Sequence, residues 1–293
     1  MSEPAIRNAM SVDVEEWFQV QAFADHIPRD RWGGFDTRVE ASTDRILARF
    51  AEAGVCATFF TLGWVAQRHP ALVRRIAAAG HEIASHGHGH ELVHRIGAES
   101  FRADIRRAKH ILEDTAGVAV RGYRAPTFSV GPAITPWAHR ILAEEGHAYS
   151  SSVFPLRHDL YGAPEAPTTP HRPDPEGVVE LPMTTLDALG RRLPCSGGGW
   201  FRLAPYALFR AALRRVNGAE RRAGIFYFHP WEIDPGQPRL PGAPARARFR
   251  HYTRQASMER RIARLLRDFA WGRVDEVFAS AIGDAQAQHA VAA

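Results

Sequence analysis

A repeating unit appears early in the chain: an amphipathic stretch ends in a glycine and a short apolar run follows. The glycines are Gly54, Gly80, Gly117 and Gly146. Each sits where a helix would end in the left-handed backbone that glycine adopts freely. The runs after them are VCATFF, HEIASH, VAVRGYRAP and HAYSSSVF. Before Gly117, the residues Phe101, Ile105, Ala108 and Leu112 recur at helical spacing and share one face. Short strands alternating with helices of ten or more residues predict βα units and a mainly parallel sheet. From SVDV near residue 12 to IFYFH near 227, six or seven strands can be counted. The pattern suits an α/β fold, a (β/α) barrel that is either closed or incomplete.

Two proline-rich stretches interrupt the rhythm, at 155–175 and 235–244. Both read as ordered surface loops, because strand-like runs resume after the first and a helix after the second. In that last helix Met258, Ile262, Leu265, Leu266 and Phe269 form an apolar face that should dock on the barrel. Residues 1–293 therefore read as one domain, with 236–293 as a C-terminal loop and helix extension.

Composition narrows the chemistry. Among 293 residues there are 37 basic ones, but Lys109 is the single lysine, leaving 36 arginines. A Schiff-base mechanism would have to use Lys109, which lies in an amphipathic helix, and no Gly-Lys-Ser/Thr run exists for a P-loop. The net charge of +5 is a small excess, and the arginine pairs are dispersed, so nucleic acid is not an expected partner. Cys56 and Cys195 form neither a disulfide framework nor a CxxC clip. MSEPAIRNAM lacks the apolar segment of a signal peptide, and no run is long enough to span a membrane, so a cytoplasmic location is expected. The oligomeric state is left open.

Histidine is abundant and clustered: His81, His86, His88, His90 and His94 fall within fourteen residues. In a parallel barrel the strand carboxyl ends carry chemistry, and five polar groups fall at such places. SVDVEEW brings Asp13 and Glu15, two apart and so on one face of a strand. SHGHGH brings His86 and His90 in a glycine-rich loop where both imidazoles can converge. Two imidazoles and a carboxylate make an open site for zinc or another divalent metal. A cluster of surface histidines is the plain alternative, and His88 offers a different HxH pair. Arg124 ends a run before Ala-Pro and could clamp a carboxylate. YSSS at 149–152 is the fourth group. His229 follows an apolar run, and could donate a proton to a leaving group or be a core-edge histidine.

Taken in order, these residues resemble the polysaccharide deacetylases with a NodB homology domain (carbohydrate esterase family 4). SVDVEEWFQV, EIASHGHGHE, YRAPTFS, SSVFP, GGGWFRL and YFHPWEIDP look more closely like the branch tied to exosortase-type exopolysaccharide loci, and the resemblance spans about residues 10 to 280. It implies a distorted (β/α)7 barrel and metal-dependent removal of N-acetyl groups from hexosamine units of a polysaccharide. Carried over by position, Asp13 would be the general base, Arg124 its orienting partner and His229 the general acid. Glu15, His86 and His90 would hold the metal. Zinc is the first choice, with cobalt, manganese, nickel or iron as alternatives. Trp17, Tyr123, Pro126, Trp200 and Trp231 would contact the N-acetylated glycan.

Two departures stand out. The usual pair of adjacent aspartates reads Asp-Val-Glu-Glu here, so Glu15 is assigned by spacing and Glu16 is the fallback. Ser150 lies where an acid is expected near the late histidine, and its loss should lower the His229 pKa. The other readings are an amidohydrolase for a small molecule and a catalytically weak glycan-binding relative.

Overall fold

The computed structural model describes residues 6–158, 161–188 and 190–283. The last ten residues of the expected C-terminal extension lie outside this range, as do residues 1–5. Among the described residues there are ten strands and ten α-helices. The strands are β1 (Arg7–Val14), β2 (Thr58–Thr61), β3 (Glu82–Ser85), β4 (Gly122–Tyr123), β5 (Tyr149–Ser150), β6 (Val179–Glu180), β7 (Thr185–Ala188), β8 (Arg191–Pro194), β9 (Ile225–Phe228) and β10 (Ala270–Gly272). The helices are α1 (Val39–Ala53), α2 (Gly63–Arg68), α3 (Pro70–Ala78), α4 (Val93–Ala116), α5 (Ala138–Glu144), α6 (Gly198–Leu203), α7 (Tyr206–Gly218), α8 (Ala245–Tyr252), α9 (Gln255–Asp268) and α10 (Val274–Val277).

The central sheet is parallel throughout its recorded pairings and runs β9-β1-β2-β3-β4-β5-β6, which makes seven barrel strands. The curl is open between β6 and β9. There Thr184 Oγ1 accepts from the Ile225 amide at 2.6 Å, and Ser196 Oγ donates to the Ile225 carbonyl at 2.8 Å. Side chains thus bridge the seam that a ladder would otherwise close. The β7–β8 antiparallel hairpin lies between these strands in sequence.

Burial on both faces explains why the strands look uniformly apolar. On β1, Met10, Val12 and Val14 face the helices and join Ile46, Phe50, Leu72 and Met258 in one core. Ala9 faces inward with Phe60, Ala84 and Tyr227. Ser11 and Asp13 continue that inner face toward the carboxyl end of the strand. Each fully buried Leu or Phe of this kind stabilises the fold by about 1.5–3 kcal/mol relative to exposure. All four cap glycines have positive φ, from 63° to 82°, where any other L-residue would be strained. On α4, Phe101, Ile105, Ala108 and Leu112 are buried as the spacing predicts.

The C-terminal segment holds more than a loop and a helix. After α9 buries Met258, Ile262, Leu265 and Leu266, β10 pairs with the first residues of β1, Arg7 to Ala9. Three residues are too few to show a period, so this strand is invisible in the sequence pattern. At the same end of the barrel, Glu82 is buried and accepts from Tyr149 Oη at 2.8 Å and Thr58 Oγ1 at 2.5 Å. Burial, reinforced by Asp275, holds its carboxyl above the ordinary value.

This raised value has a consequence for stability. The unfolded chain ionises Glu82 first as pH rises past the ordinary value of 4.5, so Glu82 stabilises the native state fully only below it. The stability difference between wild type and Glu82→Gln should shrink as pH rises from 4.5. Urea midpoints measured across that range check this, and a flat difference would contradict it.

Candidate active site

The carboxyl ends of β1, β3, β4 and β9 converge on one cavity of about 220 Å³. Asp13, Glu15, His86, His90 and His229 line it together with Trp200, Trp231 and Tyr227.

β1 delivers Asp13 and Glu15 side by side on the inner face, and both are buried. Arg124, which has no solvent exposure, donates through Nη1 to Asp13 Oδ1 at 2.6 Å and Ser11 Oγ at 2.8 Å. Its Nε and Nη2 bond the carbonyl and Oγ of Ser151 at 3.0 and 3.1 Å. The guanidinium lies 4.0 Å over the Phe60 ring, so it is fixed on its flat face as well as its edges. Ser151, within the serine run at 150–152, is thus structural support for Arg124, a role that composition alone did not suggest.

The loop after β3 is wound by Gly87 at φ 72° and His90 at φ 51°. Asp104 holds it, accepting from the His88 and Gly89 amides at 2.9 and 3.3 Å. A Cβ on Gly87 would meet the Asp104 carboxylate at 2.7 Å, so the glycine is needed for space as well as for φ. His86 Nδ1 lies 2.9 Å from the Arg124 carbonyl and donates to it, which leaves Nε2 free to face the cavity. Burial lowers the His86 pKa to about 4, so the ring is in the neutral form that ligates metals. His88 turns away to Gln67 Oε1 at 3.1 Å, which removes it from the alternative HxH pair.

Glu15, His86 and His90 bring their ligand atoms within 4.8 Å of one another. Glu15 Oε2 is 2.8 Å from His90 Nε2, yet that oxygen has no hydrogen-bond partner. A buried carboxylate oxygen left unpaired between two imidazoles suits a cation, so the donor set fits a divalent metal. Burial raises the Glu15 pKa, but His90, His229 and His86 outweigh it and hold the carboxyl below its ordinary value. Glu15 Oε1 accepts from Trp231 Nε1 at 3.0 Å. Glu16 points elsewhere, accepting from the Arg38 and Val39 amides at the start of α1 at 2.8 and 3.1 Å. It serves as a helix cap and lies outside the trio.

His229 follows β9, its Nε2 4.0 Å from Asp13 Oδ2 and 3.6 Å from Glu15 Oε1. Its Nδ1 faces Glu232 Oε2 at 3.3 Å. Burial lowers the His229 pKa, but Glu15, then Glu232 and Asp13, raise it to about 9. The lowering expected from Ser150 is therefore not what the structure gives. Ser150 donates to Ser152 Oγ at 2.8 Å, while Glu232 supplies the carboxylate from the histidine's own turn. The missed signal was an acid three residues after a histidine that precedes proline, which is a capping spacing.

Of the expected sugar contacts, Trp200 and Trp231 line the cavity and Trp17, Tyr123 and Pro126 do not. Trp17 is buried between Phe18 and Phe35, and Tyr123 between Phe101 and His147. Pro126 is buried at the start of a 3-10 turn. All three side chains are buried.

A carboxylate and two imidazoles at the mouth of a parallel barrel, beside acid–base groups, define the class: a barrel protein whose site is able to hold a metal. Residues 32–141 match the family described as polysaccharide deacetylase. Residues 151–279 match a second family, described as domain of unknown function (DUF3473). The chain is 36% identical over 84 residues to a peptidoglycan-N-acetylglucosamine deacetylase of Bacillus cereus, covering 29% of this chain and 30% of that protein. It is 32% identical over 114 residues to a chitooligosaccharide deacetylase of Rhizobium leguminosarum bv. trifolii, covering 36% of this chain and 53% of that protein. It thus spans a third to a half of these relatives.

The fold is similar to that of a Mycobacterium smegmatis protein provisionally classed as a polysaccharide deacetylase. The TM-score is 0.58 at 24% identity, covering 98% of this chain and 93% of that one. An allantoinase structure is alike in fold, with TM-score 0.59 at 18% identity and coverage of 99% and 92%. Among the described residues, no helix is long and apolar enough to cross a membrane.

Proposed function

We propose that the chain is a metal-dependent hydrolase that removes N-acetyl groups from hexosamine units of a polysaccharide, with an exopolysaccharide or its precursor as substrate. The observation that carries this reading is the meeting of three groupings at one cavity: Asp13 with Arg124, Glu15 with His86 and His90, and His229 with Glu232. The deacetylase match covers His86, His90 and Arg124, while Asp13 and Glu15 precede it and His229 follows it. The motifs GGGWFRL and YFHPWEIDP support the exopolysaccharide branch.

Glu15, His86 and His90 would hold the metal, which when bound lowers the pKa of a water and polarises the acetyl carbonyl. Zinc suits two imidazoles and a carboxylate, with cobalt, manganese, nickel and iron as alternatives. Asp13 is the general base: Arg124 holds its Oδ1, and Oδ2 is left to take the proton of the attacking water. His229 Nε2 is the general acid and protonates the departing amine. Trp200, 38% exposed at the rim, offers a face on which a sugar ring can stack. Trp231 serves as wall, its Nε1 committed to Glu15.

The reading is tested by metal analysis of the purified protein alongside acetate release from N-acetylglucosamine oligomers. Bound divalent metal is expected, with acetate release lost on chelation and restored by metal. No bound metal, and no rescue by added zinc, cobalt or manganese, would sink it. Acetate from small N-acetyl amides but none from oligomers would favour the small-molecule alternative.

A further inference from the structure

We infer that Glu232 is the positioning residue of His229, and that Arg202 and Gly198 shape a cradle for it. The inference rests on the deacetylase reading for its catalytic consequence. Arg202 and Glu232 are each 1% exposed and joined by a 2.9 Å bond from Arg202 Nε to Glu232 Oε1. The second oxygen, Oε2, accepts from the His229 amide at 3.1 Å and faces His229 Nδ1 at 3.3 Å. Both oxygens are therefore committed, one to the guanidinium and one to the histidine.

The cradle is tight on its third side. A Cβ on Gly198 would sit 1.9 Å from Glu232 Oε2, so the middle of the Gly197–Gly199 run is open because the carboxylate fills that space. Arg202 is locked in turn by donating Nη1 and Nη2 to the carbonyls of His251 and Arg250 at 3.2 and 2.9 Å. Trp231 stacks on a face of the histidine ring, with centroids 4.8 Å apart and planes 18° apart. The His229 ring thus has one orientation: Nδ1–H to Glu232 and Nε2 to the cavity. Gly198, Arg202, His229 and Glu232 all lie within residues 151–279, outside the deacetylase match. That segment supplies the acid together with its partner.

When the amide C–N bond breaks, the nitrogen takes the proton from His229 Nε2, leaving a neutral imidazole still anchored at Nδ1. The need for that proton depends on the leaving group. An amine cannot depart without it, whereas a nitrophenolate can.

The test compares N-acetylglucosamine oligomers with p-nitrophenyl acetate on metal-loaded protein, in wild type, Glu232→Gln and Gly198→Ala. Glutamine has one acceptor oxygen where two are used, so His229 or Arg202 meets an NH2 instead. Gly198→Ala keeps the carboxylate but displaces it. For both variants the amide rate is expected to fall on the order of 100-fold, and the aryl-ester rate far less. Equal losses on both substrates, or no loss on the amide, would overturn the inference. A second readout needs no activity: the ¹⁵N shifts of the His229 ring, assigned by comparison with His229→Gln. Wild type should carry the proton on Nδ1, and Glu232→Gln should shift that signal. An unchanged Nδ1 signal overturns the inference even if the chain proves not to be a deacetylase.

Discussion

Asp13→Asn is expected to keep bound metal and to lower the turnover of an N-acetyl amide by about 10³-fold. The reason is geometric. Arg124 is the donor on one side of the site, where its Nη1 bonds Asp13 Oδ1 at 2.6 Å. An asparagine there turns its carbonyl oxygen to Arg124 and its NH2 to the cavity. The group facing the water then donates where the carboxylate accepted, so no base remains. Glu15, His86 and His90 are untouched, and their ligand atoms stay within reach of one ion. Metal content and acetate release measured on the same preparation check both halves. Loss of metal from Asp13→Asn would mean that Asp13 belongs among the ligands and that Glu15 has the other role.

Arg124→Met should have the largest effect on stability, a loss of about 3–5 kcal/mol. Arg124 has no solvent exposure, and Asp13 beside it is 2% exposed. Removing the guanidinium leaves a carboxylate in the barrel interior without its ion pair. It also leaves the Ser151 carbonyl without its donor. The combination Asp13→Asn with Arg124→Met should be less unstable than the sum of the two single variants, because the stranded charge is gone. Denaturant unfolding of the four proteins measures that coupling. Additive losses would mean that the pair contributes little and that the cost comes from packing against Phe60.

Much of this was legible along the chain for a physical reason. Strand alternation, helical spacing and cap glycines are set by neighbours a few residues apart, so the βα rhythm and six or seven strands could be counted. The Asp13, His86, His90, Arg124 and His229 set could be collected because each sits at the end of an apolar run, where a barrel opens. Glu15 rather than Glu16 follows from the same period of two: odd positions of β1 face inward, and Glu16 meets the start of α1.

Other features had no local mark. Trp17, Tyr123 and Trp231 are all aromatic beside a motif, yet only Trp231 lines the cavity. Which side of a wall a ring occupies depends on what packs behind it. Glu232 looked like one acid among many until Arg202 and Gly198 closed around it.

The sequence by itself determined the βα rhythm, the mainly parallel sheet and the residue types able to bind metal or move protons. These depend on short-range periodicity and on the chemistry of single side chains. The tertiary structure decided the partners: Arg124 with Ser11 and Asp13 across more than 110 residues, and Glu15 with Trp231 across 216. It also decided that β10 joins β1, and that Glu232 rather than a residue near Ser150 faces the late histidine. Such pairings are settled only when the sheet curls and its strand ends share one buried cavity.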